Sequence, residues 1–295
     1  MCKIFLYQIV QLNAIIIKNE IFLKIFIDRT DRYMITVATY NIHKAYSMVH
    51  GCRIDTLKEA LTEIDVDIVF LQEVQDINIK RRNVSLPKDT HSQTCALQGD
   101  IYPYVAYGAN AFYEHGHHGN AILSKYPIKT WQNIDISDHK LEQRGVLHAI
   151  IEHPKYGDIH LICTHFGLFK GSRIRQAKAL IEHVRHNISH DVPLVIAGDF
   201  NDWNLHVHRI LTGELTLKDA IETIQYRDKK IKRLPRSIPG RTFPSFIPWF
   251  KLDRLYVRSL EIVEAHVKSG REWHTRSDHI PIQASLTINP QERGR

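Results

Sequence analysis

The sequence contains few cysteines. Its four cysteines lack both the paired short spacing of a zinc site and the density of a disulfide-rich scaffold. They stand alone at Cys2, Cys52, Cys95 and Cys163. Isolated thiols of this kind indicate a reducing compartment, so we expect a cytoplasmic protein.

A long uninterrupted hydrophobic run is also missing. Polar residues interrupt the apolar-rich stretch 4–27 too often for a membrane-spanning helix, and we find no small-residue cleavage site. We therefore predict neither a stable membrane span nor a signal peptide. The globular pattern begins just after Met34, which predicts an N-terminal appendage over residues 1–33 and one domain over residues 34–290.

The composition has no strong bias. Hydrophobic residues make up 43% and charged residues 24% of the 295 residues, which excludes a disordered chain or a fibre and allows one large core. Lys and Arg exceed Asp and Glu by 39 to 32, a formal net charge of +7. Two basic stretches, residues 80–82 and 227–236, can neutralise phosphates. An anionic partner such as nucleic acid fits this charge, as does a plain solvated basic surface.

Hydrophobic patterns predict both helices and strands. Apolar residues recur every three or four positions in residues 54–64 and 174–184, as on one face of a helix. Short apolar runs predict buried strands at residues 35–40, 68–71, 146–152, 159–164, 194–197, 253–257 and 282–286. This mixture, without an internal repeat, favours an α/β sandwich in which helices cover sheets.

The motif Gly198-Asp199-Phe200-Asn201 directly follows the apolar run at residues 194–197. Because alternate side chains of an extended chain point the same way, Asp199 and Asn201 present a carboxylate and an amide to one target. Such a pair suits a metal-bound water or a phosphate oxygen. An Asx turn is the alternative interpretation, since Asp and Asn are common turn residues.

Polar residues lie at the ends of five predicted strands, and such ends meet at one edge of a layered α/β fold. Their types bind hard metals or transfer protons, which turn chemistry alone does not explain. The five sets are Asn41, Ile42 and His43; Gln72 and Glu73; Thr164 and His165; Asp199 and Asn201; and Ser277, Asp278 and His279.

These residue types match the needs of phosphoester hydrolysis, which requires a cation for the phosphate oxygens, a base for water and donors for the developing charge. Glu73 is the predicted ligand of a hard cation, with Asn41 as its neutral oxygen neighbour. Oxygen ligands select Mg²⁺ or Mn²⁺ over zinc.

Proton transfer is assigned to a histidine. His279 is the predicted proton-transfer residue, and Asp253 is the candidate that orients its ring. Asp199 then positions or deprotonates the attacking water. Asn201 and His165 donate to phosphate oxygens.

Six motifs resemble, in order and approximate spacing, those of the endonuclease/exonuclease/phosphatase superfamily, which includes deoxyribonuclease I-like enzymes. They are Asn41, Leu71-Gln72-Glu73, Thr164-His165, Gly198-Asp199-Phe200-Asn201, Leu252-Asp253-Arg254 and Ser277-Asp278-His279. The resemblance spans about residues 35–288 and is greatest to bacterial members without an assigned substrate. It implies a four-layer α/β sandwich, with two packed, mostly antiparallel mixed sheets flanked by helices.

The resemblance also implies Mg²⁺-dependent phosphoester cleavage, with Mn²⁺ as a substitute. Glu73 and Asn41 are the implied metal residues, and Asp278 is a candidate second metal contact. One departure is His43, because many abasic-site endonucleases of the superfamily have a carboxylate at that position. We therefore do not expect a close match to that branch.

The segment Gly116–Ser124 resembles the central strand motif of the superfamily. Asn120 or His118 within it is a candidate for substrate contact. His115, His117 and His118 also allow a soft metal site, although their spacing suits a tight loop better. The aromatic run at residues 239–250 either shapes the substrate mouth or packs into the core.

The first functional hypothesis is a monomeric phosphodiesterase or endonuclease that acts on nucleic acid. A phospholipid or a small phosphate ester is the alternative substrate, because exposed rings near residues 243–250 can rest at a membrane interface. A non-catalytic anion-binding module is disfavoured, since the candidate catalytic set is intact.

Overall fold

The computed structural model describes residues 34–47, 51–78, 92–139, 142–230 and 240–287. The chain divides into two units between Met34 and Ile35, and the fold described here is that of the second unit. The predicted appendage at residues 1–33 and the basic stretch at residues 80–82 lie outside the described residues. The domain limits stay a prediction.

Two mixed sheets of six strands each form the centre of the fold. The first has the order β13-β14-β1-β4-β6-β5, with β1 Met34–Asn41, β4 Ile68–Asn78, β5 Tyr104–Tyr113, β6 Gly116–Ser124, β13 Glu261–Val267 and β14 Ile282–Thr287. The second has the order β11-β12-β10-β9-β8-β7, with β7 Ile128–Asp135, β8 Gly145–His153, β9 Gly157–His165, β10 Leu194–Asp199, β11 Lys218–Asp219 and β12 Asp253–Arg258. A separate hairpin joins β2 Tyr46–Ser47 to β3 Gly51–Cys52.

Helices connect and cover these strands. They are α1 Ile54–Ile64, α2 Gln93–Gln98, α3 Lys170–Asn187, α4 His206–Leu215, α5 Ala220–Lys230 and α6 Trp273–Arg276, and a short 3₁₀ turn spans His43–Ala45. Within the described ranges, none of the helices combines the length and the hydropathy that crossing a membrane requires.

Neighbouring side chains along a strand face opposite sides of its sheet, and this alternation gives each sheet an inner and an outer layer. In β4, Phe70 joins the core between the two sheets, whereas Leu71 packs against the outer helix α1. In β10, Val195 faces the same central core, whereas Ile196 packs with Leu180 of α3 on the other outer side. The result is the expected four-layer sandwich of helices, sheet, sheet and helices.

The seven predicted strands and two predicted helices are confirmed as elements. The structure extends the strand predicted at residues 68–71 to Asn78 and adds strands β5, β7 and β13, whose exposed faces dilute the apolar signal. The first four residues of the basic stretch 227–236 form the end of helix α5. Its remainder up to residue 236 lies outside the described residues.

Gly198 permits the close pairing of β9 and β10. Its φ is +153°, and a Cβ on it would overlap the carbonyl oxygen of Thr164. We therefore expect Gly198→Ala to lower the free energy of unfolding by about 1–3 kcal/mol or more, since two central strands must separate. Thermal denaturation followed by circular dichroism measures this loss.

Gly213→Ala is the matched control. Gly213 lies inside α4, and an added Cβ meets nothing within 4 Å. Alanine should raise the free energy of unfolding there by about 0.5–1 kcal/mol. Equal melting temperatures for the two variants would contradict the role assigned to Gly198.

Candidate active site

Strand register brings the functional side chains together. Asp199 at the end of β10 lies opposite His165 of β9 and opposite Asp253 of β12. In the other sheet, Asn41 at the end of β1 lies opposite Gln72 of β4. The Asn41 amide nitrogen donates to Asp199 Oδ2 at 3.1 Å, so the ends of the two sheets meet at this contact.

A cavity of about 450 Å³ opens above this contact. Its polar wall contains Glu73, His165, Asp199, Asn201, Asp278 and His279. Its apolar wall contains Leu168, Trp203, Phe243, Phe250 and Leu252. The cavity therefore contains most of the predicted site residues, and the aromatic run contributes Phe243 and Phe250 to its mouth.

Glu73 lies where the strand pairing becomes irregular. The register of β4 against β6 shifts between Leu71 and Val74, and Glu73 has a left-handed φ of 57°. A non-glycine residue in this region costs about 1–2 kcal/mol, so the surrounding structure must hold it there. The irregularity places the Glu73 carboxylate 3.4 Å from the Asn41 amide nitrogen and 3.9 Å from Lys44 Nζ.

The carboxylate oxygens around Asn41 are of the type that binds a hard divalent cation. Glu73 and Asp199 each accept a hydrogen bond from the Asn41 amide nitrogen, and hard cations such as Mg²⁺ prefer oxygen ligands of this kind. Asn41 offers its nitrogen to both carboxylates, while its Oδ1 accepts from the His43 backbone N–H at 3.1 Å. In this orientation Asn41 holds the two carboxylates in place.

His279 lies between two buried carboxylates. Its Nδ1 is 2.7 Å from Asp253 Oδ2, and its Nε2 is 3.7 Å from Asp199 Oδ2. Burial lowers the pKa of His279, but the charges of Asp253 and Asp199 outweigh it and raise the pKa to about 10. The raised pKa favours the imidazolium form of His279 at neutral pH, and Asp253 fixes its ring.

Burial and neighbouring charges also shift the pKa of the Asp199 carboxyl group. Burial raises its pKa, the nearby Asp253 charge adds to the rise, and the charge of His279 opposes it. Its two oxygens are held by the Asn201 backbone N–H at 2.9 Å and by the Asn41 amide. A buried carboxylate of raised pKa in a cavity is suited to accept a proton.

His165 and Asn201 form the next part of the wall. Burial, helped by the charges of Arg144 and His279, holds the pKa of His165 well below its usual range, so the ring is neutral. Its Nε2 lies 3.6 Å from Asp199 Oδ2 and 3.3 Å from the Asn201 amide nitrogen. That nitrogen also donates to the Phe166 carbonyl at 2.9 Å. The predicted contacts of both residues with phosphate stay a prediction.

His43, the departure from the superfamily pattern, has a clear partner. Its Nδ1 is 2.7 Å from Asp278 Oδ2, and this hydrogen bond raises the pKa of His43. Burial alone would raise the pKa of Asp278, but the bond to His43 lowers it. Asp278 thus reaches the cavity already paired, and its role as a second metal contact stays a prediction.

The Gly116–Ser124 segment forms β6, and its polar side chains have different contacts. Asn120 is buried, and its amide nitrogen donates to the Gly145 carbonyl at 3.2 Å. His118 lines a neighbouring cavity. His115 contacts Glu114 at 3.0 Å and His117 contacts the Tyr107 hydroxyl at 2.9 Å, so the three histidines have different surroundings. This arrangement gives no support to a soft metal site.

Two clusters in the part of the chain that the structure describes have metal-like spacing. The first, Asp199 with Asp253 and His279, is the proton-sharing group described above. The second is His208, Asp219 and Glu222, but Arg254 Nη1 lies 3.3, 2.9 and 3.1 Å from their side chains. The guanidinium neutralises that cluster, and we assign it no ion.

Lys44, Arg144 and Trp203 line the cavities although they were not predicted. Arg144 lies just before strand β8, whereas most of the predicted site residues follow an apolar run. Lys44 lies only three residues after Asn41, which is the signal that could have found it.

The pKa of His279 is directly measurable. In metal-free protein we expect its imidazole to titrate near 10, and Asp253→Asn to move the midpoint towards the ordinary value near 6.5, because the adjacent charge is lost. Histidine NMR titration, assigned with His279→Gln, measures the midpoint. Asp138→Asn, which alters a carboxylate paired with Arg175, should leave it unchanged. A wild-type midpoint below 7 would contradict the proton assignment.

Comparison with known proteins supports the resemblance seen in the sequence. The Endonuclease/Exonuclease/phosphatase family pattern matches residues 38–279. "Uncharacterized protein YbhP" of Escherichia coli K12 is 35% identical over 264 residues, covering 88% of this chain and 99% of that protein.

Solved structures show the same fold at lower sequence identity. An endonuclease/exonuclease/phosphatase from Beutenbergia cavernae superposes with a TM-score of 0.68 at 19% identity, covering 87% of this chain and 72% of the other. The Bacteroides thetaiotaomicron mannosyl-6-phosphatase Bt3783 gives a TM-score of 0.63 at 18% identity, covering 86% and 100%. With the site geometry and the family match over most of its length, the chain belongs to the endonuclease/exonuclease/phosphatase family.

Proposed function

We propose that the protein is a Mg²⁺-dependent phosphoester hydrolase, with Mn²⁺ as a substitute, that cleaves phosphodiesters. The observation that carries the proposal is the convergence of Glu73, Asp199 and the Asp253–His279 pair on one cavity. Family membership supports the reaction class, because members of this family act on phosphoester bonds.

Each residue has a distinct task in the proposed reaction. A cation held by Glu73, beside the fixed Asn41 amide, would supply positive charge to the phosphate oxygens. Asp199 accepts a hydrogen bond or a proton from the attacking water. His279 carries a proton at Nε2, on the side that faces the cavity, and can donate it to a phosphate or leaving-group oxygen. Asp253 keeps the ring aligned through Nδ1.

Nucleic acid is the first proposed substrate. The formal net charge is +7, and exposed rings stand near cationic side chains around the cavities, as in sites that bind single strands. The described cysteines stand alone in the sequence and form no disulfide with one another, which supports the proposed cytoplasmic location, and we propose a monomer.

An amphiphilic phosphoester, such as a phospholipid, is the second candidate. Phe246, Ile247 and Trp249 are 65%, 63% and 64% exposed, and they adjoin Phe250 at the cavity mouth. Arg241 lies over the Trp249 ring at 5.3 Å from its centroid. Exposed apolar side chains with a neighbouring cation suit an anionic lipid surface.

Glu73→Gln tests the metal assignment. The change keeps the side-chain size but removes the charge, so we expect metal-dependent turnover to fall by more than about 100-fold and to need more Mg²⁺. The assay covers plasmid and single-stranded DNA, RNA, bis(p-nitrophenyl) phosphate, phospholipid vesicles and sugar phosphates across a Mg²⁺ titration. Glu214→Gln, which alters an exposed pair with Arg185, is the matched control. Turnover that needs no added metal, or that Glu73→Gln leaves intact, would refute the proposal.

Trp249→Ala separates the two substrate classes. If the exposed side chains of Phe246, Ile247 and Trp249 rest on lipid, the variant should bind anionic vesicles about tenfold more weakly in sedimentation, because one large apolar side chain is lost. Trp131→Ala removes another exposed tryptophan, 51% exposed on β7, and should bind like wild type. Vesicle binding that neither change alters would count against the lipid candidate.

A further inference from the structure

A second cavity of about 590 Å³ adjoins the proposed active site. It shares Glu73, Arg144 and His165 with the first cavity, so the two spaces meet along these residues. We call it the side chamber, and its other walls include Lys44, Phe112, Tyr113, His118, His139, Glu142 and Phe169. A substrate phosphate beside Glu73 would place one of its ester substituents at the opening of the side chamber. We call such a substituent an arm.

Lys44 reaches the junction through a strained turn. His43, Lys44 and Ala45 have φ values of 46°, 59° and 50°, so three consecutive non-glycine residues are left-handed. Each such residue is costly, and strain of this kind concentrates at functional sites. The Gln93 side chain donates to the Lys44 carbonyl at 2.9 Å and helps to hold the turn. The turn leaves Lys44 Nζ 3.9 Å from Glu73, too far for a hydrogen bond.

Arg144 supplies the second cation of the side chamber. Its Nη2 lies 3.5 Å from Glu142 Oε1, and that oxygen also accepts from the Leu168 backbone N–H at 2.9 Å. The Arg144 Nε is buried without a hydrogen-bond partner. Arg144 Nη1 donates to the Gln143 carbonyl at 3.2 Å, and each Nη group has a second N–H beyond these contacts.

The positive charges of Lys44 and Arg144 both act on His118, which also lines the side chamber. Burial, together with the charges of Lys44 and Arg144, lowers the pKa of His118 to about 4. Two carboxylates also face the chamber. Glu142 is bonded to Arg144 and Leu168, and Glu73 is the proposed cation ligand.

Aromatic side chains stand at the outer part of the chamber. Phe112 is 63% exposed and Phe169 is 66% exposed, which leaves ring faces open to a ligand. The Phe112 backbone N–H donates to Gln143 Oε1 at 2.8 Å, which fixes this wall next to Arg144. Open rings beside cations suit an arm that contains both a ring and a negative charge.

We propose that the side chamber binds a second phosphate of the substrate through Lys44 and Arg144, with the ring of that arm against Phe112 or Phe169. The ligand class is a phosphate ester that carries a further phosphate on a cyclic arm. The inference rests on the proposed function of the adjoining site, because that site would hold the first phosphate.

Binding of product-like ligands tests the proposal independently of turnover. Calorimetry with Ca²⁺ compares thymidine 3′,5′-bisphosphate with thymidine 5′-monophosphate, and fructose 1,6-bisphosphate with fructose 6-phosphate. We expect wild type to bind the bisphosphate at least about tenfold more tightly in one or both pairs, since charge-assisted bonds to phosphate are strong. A preference in the nucleotide pair alone identifies a nucleotide arm, and a preference in both pairs identifies the phosphate as the common feature.

Lys44→Met assigns the preference to the side chamber. The variant should reduce the bisphosphate preference to below about threefold while monophosphate affinity changes less than twofold. Lys129→Met, which alters an exposed pair with Asp158, should behave like wild type. Equal wild-type affinities within both pairs, or an equal loss of both ligands in Lys44→Met, would overturn the inference. Absence of hydrolysis with the preference intact would instead refute only the catalytic proposal.

Discussion

Buried negative charge is the constraint on which this structure depends. Asp199 and Asp253 are each 2% exposed, and buried carboxylates are costly unless cations or hydrogen bonds compensate them. His279 contributes one proton between them, and Lys44 lies near the third carboxylate, Glu73. Asp278 is not counted with these three carboxylates, because it is paired with His43. Three carboxylates against two cations leave an excess of negative charge, which a divalent cation would offset. The same imbalance that costs stability would favour binding of the proposed metal ion.

The sheets supply the positions that this charge cluster requires. Asp199, His165 and Asp253 lie side by side because the registers of β9, β10 and β12 end together. Asn41 then links this group to Glu73 from the opposite sheet. The backbone departs from ordinary geometry at Glu73 and Asn201, both left-handed, and at Gly198. Local strain is thus concentrated where the side chains must leave the strand direction and face the cavity.

The sequence was sufficient for the central strands because they are buried on both faces and read as continuous apolar runs. Polar residues next to short apolar runs predicted Asn41, Glu73, His165 and Asp199 as site candidates, because such runs can be recognised from local sequence. Glu73 nevertheless lies at an irregularity inside β4 and not at the end of the strand. The pairing of His43 with Asp278 joins residues 235 positions apart, and no local pattern encodes it. The same holds for Arg144, whose position at both cavities depends on β8 lying beside β9 in the folded sheet. Asn120, the candidate for substrate contact in the central strand motif, is buried and donates to the Gly145 carbonyl, a contact that no local pattern encodes.

The two walls of the active-site region favour different ligands, and their positions limit the substrate. Leu168, Trp203 and Phe250 form an apolar side to the first cavity, whereas Lys44 and Arg144 stand at the junction with the side chamber. A phosphodiester has two arms on opposite sides of phosphorus, so one arm can meet each wall. A simple monoester would leave one wall without contact, and the strain at residues 43–45 would bring no binding in return. The asymmetry of the walls therefore favours a diester whose two arms differ in charge.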